Sequence, residues 1–279
     1  MNTVIGTRDS YGKPLLVIIP AYNEEKNIGA VLEAMQTPEI AAIADVLVMN
    51  DASTDSTAEI VWNGGAHCVT HVFNLGYGGG LQVGYKYAAR LGYRFVIQMD
   101  ADGQHDVSNI PALYAALTAD SRPDIVLGSR YMEGSSPYDP GPLKNAAYRW
   151  FRWIIKRMTG QTIADPTSGL QGLSRRAIRF YSGYQHFDDR YPDANMLVQM
   201  LLLGFRVEQI PAVMHYRTQG ASMHSGIVKP AVYMLRMTLS LIAVWLRVRV
   251  LKIQVSEAEA LLREDRTGRE EASYASFAQ

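Results

Sequence analysis

Cysteine is nearly absent: Cys68 is the only one in 279 residues. A single thiol excludes an intramolecular disulfide framework and a cysteine-rich zinc site, and it fits a reducing compartment. Net charge is also missing, with 27 basic against 27 acidic side chains. That balance excludes whole-chain nucleic-acid binding and an acidic disordered chain. No apolar run reaches the about 18 uncharged residues of a membrane-crossing helix. The N-terminal MNTVIGTRDSYGKP has no apolar core for a signal peptide. A site facing the cytoplasm is therefore expected. What is present is a globular composition, 48% hydrophobic and 19% charged, at a length that suits one or two domains.

The first half alternates two periodicities. Apolar runs at Leu15–Ile19, Val46–Met49, Cys68–Val72, Phe95–Met99 and Ile125–Leu127 read as strands. Helical spacing separates them at Asn27–Met35, Asp55–Gly64, Gly80–Leu91 and Asn109–Leu117. Such alternation predicts an α/β fold, a mainly parallel sheet covered by helices on both faces. Ligands of such sheets bind beyond the carboxyl ends of the strands. Gly134–Pro142 is the best loop or lid candidate.

Three strands run straight into polar clusters: Pro20-Ala21-Tyr22-Asn23-Glu24-Glu25, Asn50-Asp51-Ala52-Ser53-Thr54-Asp55 and Asp100-Ala101-Asp102-Gly103-Gln104-His105. All three should meet at one rim. Two close carboxylates, Asp100 and Asp102, repel each other unless a cation neutralises them. Mg²⁺ and Mn²⁺ take oxygen ligands and bridge carboxylates to phosphates; Gln104 can add a neutral oxygen from the same turn. Asp51 reads either as a helix N-cap or as an acceptor for a nucleobase N–H or a ribose hydroxyl. Tyr22 reads as a surface aromatic or as a flank for a base. Asn74–Gly80 is glycine-rich but fits neither G-x-G-x-x-G nor a P-loop, so it is a turn for close packing or a substrate contact.

PAYNEE, NDASTD, DADGQH, GSRY and DPTSGLQ follow one another in an order and spacing that resemble the family-2 glycosyltransferases of GT-A fold. Within these, the chain is similar to the dolichyl- and polyprenyl-phosphate sugar synthases, from about Leu15 to about Ser225. The resemblance implies that Pro20, Ala21, Tyr22, Glu24 and Asp51 hold the nucleoside. Asp100, Ala101, Asp102 and Gln104 would hold the nucleotide sugar's diphosphate, with Asp100, Asp102 and Gln104 on the metal. Arg130 would contact an acceptor phosphate, helped by Lys144, with Tyr148 where relatives have Ser. Arg217, Ser222 and His224 belong to the late Arg-x-x-Gly-x-Ser segment that closes over diphosphate and acceptor; His224 stands near the place of a family Lys. Asp165–Gly169 matches an acceptor-side loop, or is a turn. Asp188, Asp189 and Asp193 are base candidates, which a hydroxyl acceptor needs and an anionic phosphate does not.

Basic charge gathers in two segments. Lys144–Gly160 and Lys229–Val255 carry five basic residues each and no acid, whereas Ser256–Gln279 carries six acids and three Arg. Tyr148, Trp150, Phe151 and Trp153 interleave with Arg149, Arg152, Lys156 and Arg157, a mixture suited to an anionic membrane interface or to a core helix with a solvated basic face. Met237–Leu246 is too short to span a bilayer. It can lie in the interface, pack on a membrane partner, form a homo-oligomer contact, or cover its own domain. The expected layout is a catalytic domain over 1–228, an amphipathic helix over 229–255 and a loosely held acidic tail over 256–279. The expected activity is inverting, Mg²⁺- or Mn²⁺-dependent transfer of a hexose from a GDP-mannose- or UDP-glucose-type donor to a polyprenyl phosphate. The expected place is the inner face of the membrane, peripherally. The alternatives are a glycan or lipid hydroxyl as acceptor, or a non-catalytic nucleotide-sugar-binding subunit of a membrane complex.

Overall fold

The computed structural model describes residues 12–136, 142–190, 192–215 and 228–263. Seven strands form one sheet in the order β3-β2-β1-β4-β6-β5-β7. They are β1 (Leu15–Ala21), β2 (Ala44–Asn50), β3 (His67–Thr70), β4 (Phe95–Gln98), β5 (Ile125–Ser129), β6 (Gln171–Ser174) and β7 (Val207–Pro211). All neighbours run parallel except β6, which lies antiparallel between β4 and β5. The α/β sheet expected from the alternating pattern is thus found, with the antiparallel insertion as an addition.

β1 is uninterrupted in apolar residues because it is covered on both faces. Leu16 and Ile18 point into one core with α4 (Gly76–Leu91), α6 (Pro142–Thr159), α7 (Arg175–Ser182), α8 (Ala194–Leu202) and α9 (Val228–Trp245). Leu15, Val17 and Ile19 point into the other, with α1 (Ile28–Ala34), α2 (Pro38–Ile43), α3 (Thr57–Asn63) and α5 (Asn109–Thr118). Each such buried side chain contributes roughly 1.5–3 kcal/mol relative to exposure.

α4 begins one turn earlier than its pattern predicts, inside Gly76-Tyr77-Gly78-Gly79-Gly80. Glycine disfavours helix by about 1 kcal/mol per residue, so something else requires it. At Gly78 a Cβ would fall 2.2 Å from the Asp188 carbonyl oxygen, and Gly79 N–H donates to Asp189 O at 3.0 Å. The glycines let the 188–189 backbone lie against the helix, which is the close-packing role.

α9 buries Met237, Leu241 and Val244 and continues into a π-helical turn, Leu246–Val250, that buries Val248. The other side leaves Val232, Leu235, Leu239, Ile242 and Leu246 exposed at three- and four-residue spacing. Arg247 turns inward: its Nη2 donates to Gln199 Oε1 on α8. Residues 255–263 are helical, with Ala258 wholly buried and Leu261 and Leu262 against the core. The start of the acidic segment is therefore packed rather than loosely held, because its apolar residues recur at helical spacing. Among the described residues no helix is long and apolar enough to cross a membrane.

Candidate active site

The first two strand-end clusters are stitched into one ledge. Asn23 adopts a left-handed φ of 54°, its amide donates to Ser53 Oγ at 3.0 Å, and its Oδ1 accepts from Thr54 N–H at 2.8 Å. Glu24 N–H donates to Thr57 Oγ1 at 2.8 Å, and Ser56 N–H to Glu25 Oε2 at 3.1 Å. Pro20 and Ala21 end β1 behind the ledge, and Ala21 O accepts from Asp51 N–H. Tyr22 is 50% exposed above it, a free aromatic face at the rim. Glu24 Oε2 accepts from Asn27 Nδ2.

Asp51 is not the cap of α3, whose N-cap is Ser56. Its buried carboxylate accepts from Leu75 N–H at 2.7 Å, Gly76 N–H at 2.9 Å and His71 Nδ1 at 2.8 Å. Three of its roughly four acceptor positions are thus filled. It holds the N-terminus of α4, where a negative charge meets the positive end of the helix. These three hydrogen bonds are spent within the protein and leave about one acceptor position.

Asp100 follows β4 with its side chain 35% exposed. Its amide donates to His105 Nδ1 at 3.0 Å, so the ring hydrogen sits on Nε2, 3.9 Å from Asp100 Oδ2. Tyr77 Oη–H donates to Asp100 Oδ1 at 2.9 Å. Asp102 Oδ1 accepts from Gln104 N–H at 3.0 Å across the turn that Gly103 makes at φ 75°. Ala101 is buried behind it, and Gln104 O accepts from His215 N–H. No group of three acidic, His or Cys ligands stands together among the described residues. Two carboxylates with no nitrogen or sulfur donor suit Mg²⁺ or Mn²⁺ completed by water and phosphate. Tyr77 and His105 had no assigned role in the sequence, since Tyr77 meets Asp100 only through the fold.

Arg130, at the end of β5, lies on the same rim. Its Nε and Nη2 each donate to Asp165 at 2.7 Å, and Nη2 reaches Thr167 Oγ1 at 3.1 Å. Asp165 is 0% exposed. The Asp165–Gly169 loop is therefore more than a turn: it holds Arg130 at one end. At the other end, a Cβ on Gly169 would lie 2.9 Å from Asp100 Oδ2. Tyr148 on α6 packs its ring 5.2 Å from Tyr131 and 5.9 Å from the Arg130 guanidinium.

Asp193 caps α8, accepting from Ala194 N–H at 2.9 Å, and Tyr233 Oη–H of α9 donates to its Oδ2. Burial raises its carboxyl from 3.8 to about 6, partly offset by the hydrogen bonds from Tyr233 and Ala194 and by the charge of Arg130. A folded-state value above the ordinary one means that the folded protein holds this proton more tightly. The stability that this carboxyl contributes is full below 3.8 and is lost as pH rises through about 6. Asp193→Asn should remove that slope and raise stability at pH 7 by on the order of 1–3 kcal/mol; denaturant melts across the range check it. Asp188 Oδ2 accepts from Asn195 Nδ2, and the Asp189 backbone carbonyl accepts from Gly79 N–H. Lys144 lies in α6, its side chain outside the described residues, as are Arg217, Ser222 and His224.

A family model described as "Glycosyl transferase family 2" matches residues 16–181. An undecaprenyl-phosphate mannosyltransferase of Micrococcus luteus is 29% identical over 78% of this chain and 90% of its own length. A dolichyl-phosphate beta-glucosyltransferase of Trichomonas vaginalis is 27% identical over 77% of this chain and 68% of its own. Among solved structures, glucosyl-3-phosphoglycerate synthase from Mycobacterium tuberculosis, with Mn²⁺, UDP-glucose and phosphoglyceric acid, superposes with a TM-score of 0.58. It is 19% identical and covers 85% of this chain and 79% of that one, a likeness of fold.

Proposed function

The chain belongs to glycosyl transferase family 2, and from that membership we propose that it transfers a hexose from a nucleotide sugar to a polyprenyl phosphate. The relatives named for undecaprenyl-phosphate mannosyl and dolichyl-phosphate glucosyl transfer support this acceptor class. So does the loop 165–169, which holds Arg130 at one end and abuts Asp100 at the other. Four residues span at most about 14 Å, so the carboxylates of the donor side and the cation of the acceptor side share one small rim.

The nucleoside lies on the ledge of residues 20–24, with Tyr22 stacking on the base. Asp100, Asp102 and Gln104 would hold Mg²⁺ or Mn²⁺, which when bound neutralises the departing diphosphate. Tyr77 and His105 fix the orientation of Asp100. Gly169 leaves that carboxylate its room: Gly169→Ala should weaken Mn²⁺ binding by about 10–100-fold, as loss of an outer-sphere support does, with little change in melting temperature. A manganese titration followed by electron paramagnetic resonance checks it. An acceptor phosphate oxygen attacks the anomeric carbon from the opposite face, the bond from that carbon to the diphosphate oxygen breaks, and the nucleoside diphosphate leaves with the electron pair. No proton need be removed. The exposed stripe of α9, together with the stacked Trp150 and Trp153 of α6, lies against the inner face of the membrane, where amphipathic surfaces with Arg and Lys bind.

Asp193 supports a second reading. A carboxyl raised to about 6 is matched to general-base work near neutral pH, which a hydroxyl acceptor would require. The test uses the full chain with Mn²⁺, labelled GDP-mannose or UDP-glucose, and either polyprenyl phosphate or polyprenol. Label entering the organic phase with the phosphate alone is the expected result. Equal labelling of polyprenol would put the hydroxyl reading first.

A further inference from the structure

We propose that Arg152 of α6 is a phosphate-gripping residue: it binds the phosphate monoester of the lipid acceptor, and in this it rests on the acceptor assigned above. Its guanidinium lies over the Tyr131 ring, Cζ 4.6 Å from the centroid. Its Nε and Nη2 are both buried and have no hydrogen-bond partner among the described residues. Burying donors of a charged group without acceptors is costly, about 1–3 kcal/mol for a neutral group and more for a charged one. Such groups in a folded protein call for a functional explanation.

Geometry points to the ligand. Nε and Nη2 form one edge of the guanidinium plane, the edge that makes paired contacts to two oxygens of a phosphate or carboxylate. The Tyr131 ring covers a face of that plane and makes no bond to the edge. Arg130, by contrast, already spends its Nε and Nη2 on Asp165, so its charge is largely balanced at close range. The Arg152 edge has no such partner. Tyr131 links the two cations, with the Arg130 Cζ 5.8 Å from the same ring. Both guanidinium groups therefore stand within 6 Å of one ring, at the end of β5. On the outer side of the same helix, Trp150 and Trp153 stack at 5.3 Å and are exposed. A ligand with a phosphate head and an apolar tail fits both sides of this helix.

Two sources present a lipid phosphate here, the polyprenyl acceptor and the headgroup of an anionic phospholipid. The experiment compares the full wild-type chain with Arg152→Gln and Arg152→Lys. Steady-state transfer should show KM for polyprenyl phosphate raised about tenfold or more in Arg152→Gln, with kcat and the donor KM within about twofold. Arg152→Lys should recover part of the loss, as a point charge without the fork. Flotation with phosphatidylcholine vesicles should show Arg152→Gln losing the preference for those doped with polyprenyl phosphate. Binding to vesicles with about 20 mol % phosphatidylglycerol should be unchanged. Melting temperature should not fall, because the substitution removes unmade hydrogen bonds.

An unchanged acceptor KM overturns the proposal. So does a parallel loss on phosphatidylglycerol vesicles, which assigns Arg152 to headgroups, or an equal loss in every parameter with a lowered melting temperature, which assigns it to packing. Wild-type protein that binds polyprenyl phosphate through Arg152 but transfers nothing keeps this inference and overturns the transferase reading. Wild-type protein that neither binds nor transfers overturns both.

Discussion

Asp102→Ala is expected to lower the rate of sugar transfer by about 10³-fold or more while the protein melts close to wild type. The two halves of this expectation have separate causes. In the folded chain, Asp102 Oδ1 accepts from Gln104 N–H within its own turn, a local bond worth about 1 kcal/mol. The tight turn itself is supported by Gly103 at φ 75°. In the reaction the same carboxylate faces a departing diphosphate, and loss of the cation it anchors removes several kcal/mol of charge neutralisation, at about 1.4 kcal/mol per factor of ten. Single-turnover rates beside a thermal melt read both halves. Transfer retained with Mn²⁺ would remove Asp102 from the metal site.

Arg130→Ala is expected to act chiefly on stability, by about 3–5 kcal/mol. Asp165 is 0% exposed and takes two of its hydrogen bonds from the Arg130 guanidinium and one from the Arg130 amide at 3.0 Å. Truncation leaves only the amide and strands a buried carboxylate. For a chain of this length that corresponds to a melting temperature lower by about 10 °C. The double variant Arg130→Met, Asp165→Leu should regain much of the stability, since a buried pair replaced by apolar groups is often neutral, but it should not regain transfer. Calorimetry of wild type, single and double variants measures this. A single variant as stable as wild type would show that the pair carries no structural load. Loss of activity in Arg130→Ala therefore does not by itself report acceptor binding, and Arg152 is the cleaner probe of the acceptor side.

β1, β2 and β4 were legible because strands covered on both faces must be continuously apolar. β6 and β7 were not. Gln171–Ser174 and Val207–Pro211 are short and polar, and their strand character comes from lying beside β4 and β5. Gly172 in β6 faces Leu117 of α5, whose Cδ1 would lie 2.9 Å from a Cβ there, a contact with no local signature. The pattern starts α4 one turn late because its glycines look like a loop, whereas they serve the backbone at 188–189. Strand-end motifs place Asp51, Asp100 and Asp102 at the rim where the structure has them, and the family resemblance adds Arg130. Their partners were hidden: Tyr77 lies 23 residues from Asp100, Asp165 lies 35 from Arg130, and Tyr233 lies 40 from Asp193. Pairings over such separations are products of the topology. For Asp51 the motif gave a position, and the hydrogen bonds from Leu75, Gly76 and His71 add a structural task with no local signature.

The central claim is that the sugar is carried to a phosphate oxygen, and phosphorus NMR of one reaction mixture tests it most directly. With the chain, Mn²⁺, a nucleotide sugar and polyprenyl phosphate in detergent, the phosphomonoester resonance of the lipid should decay. A phosphodiester resonance should grow in step with the released nucleoside diphosphate, one for one. Nucleoside diphosphate accumulating while the monoester resonance stays unchanged would mean that the sugar goes to water or to a hydroxyl, and would contradict the account.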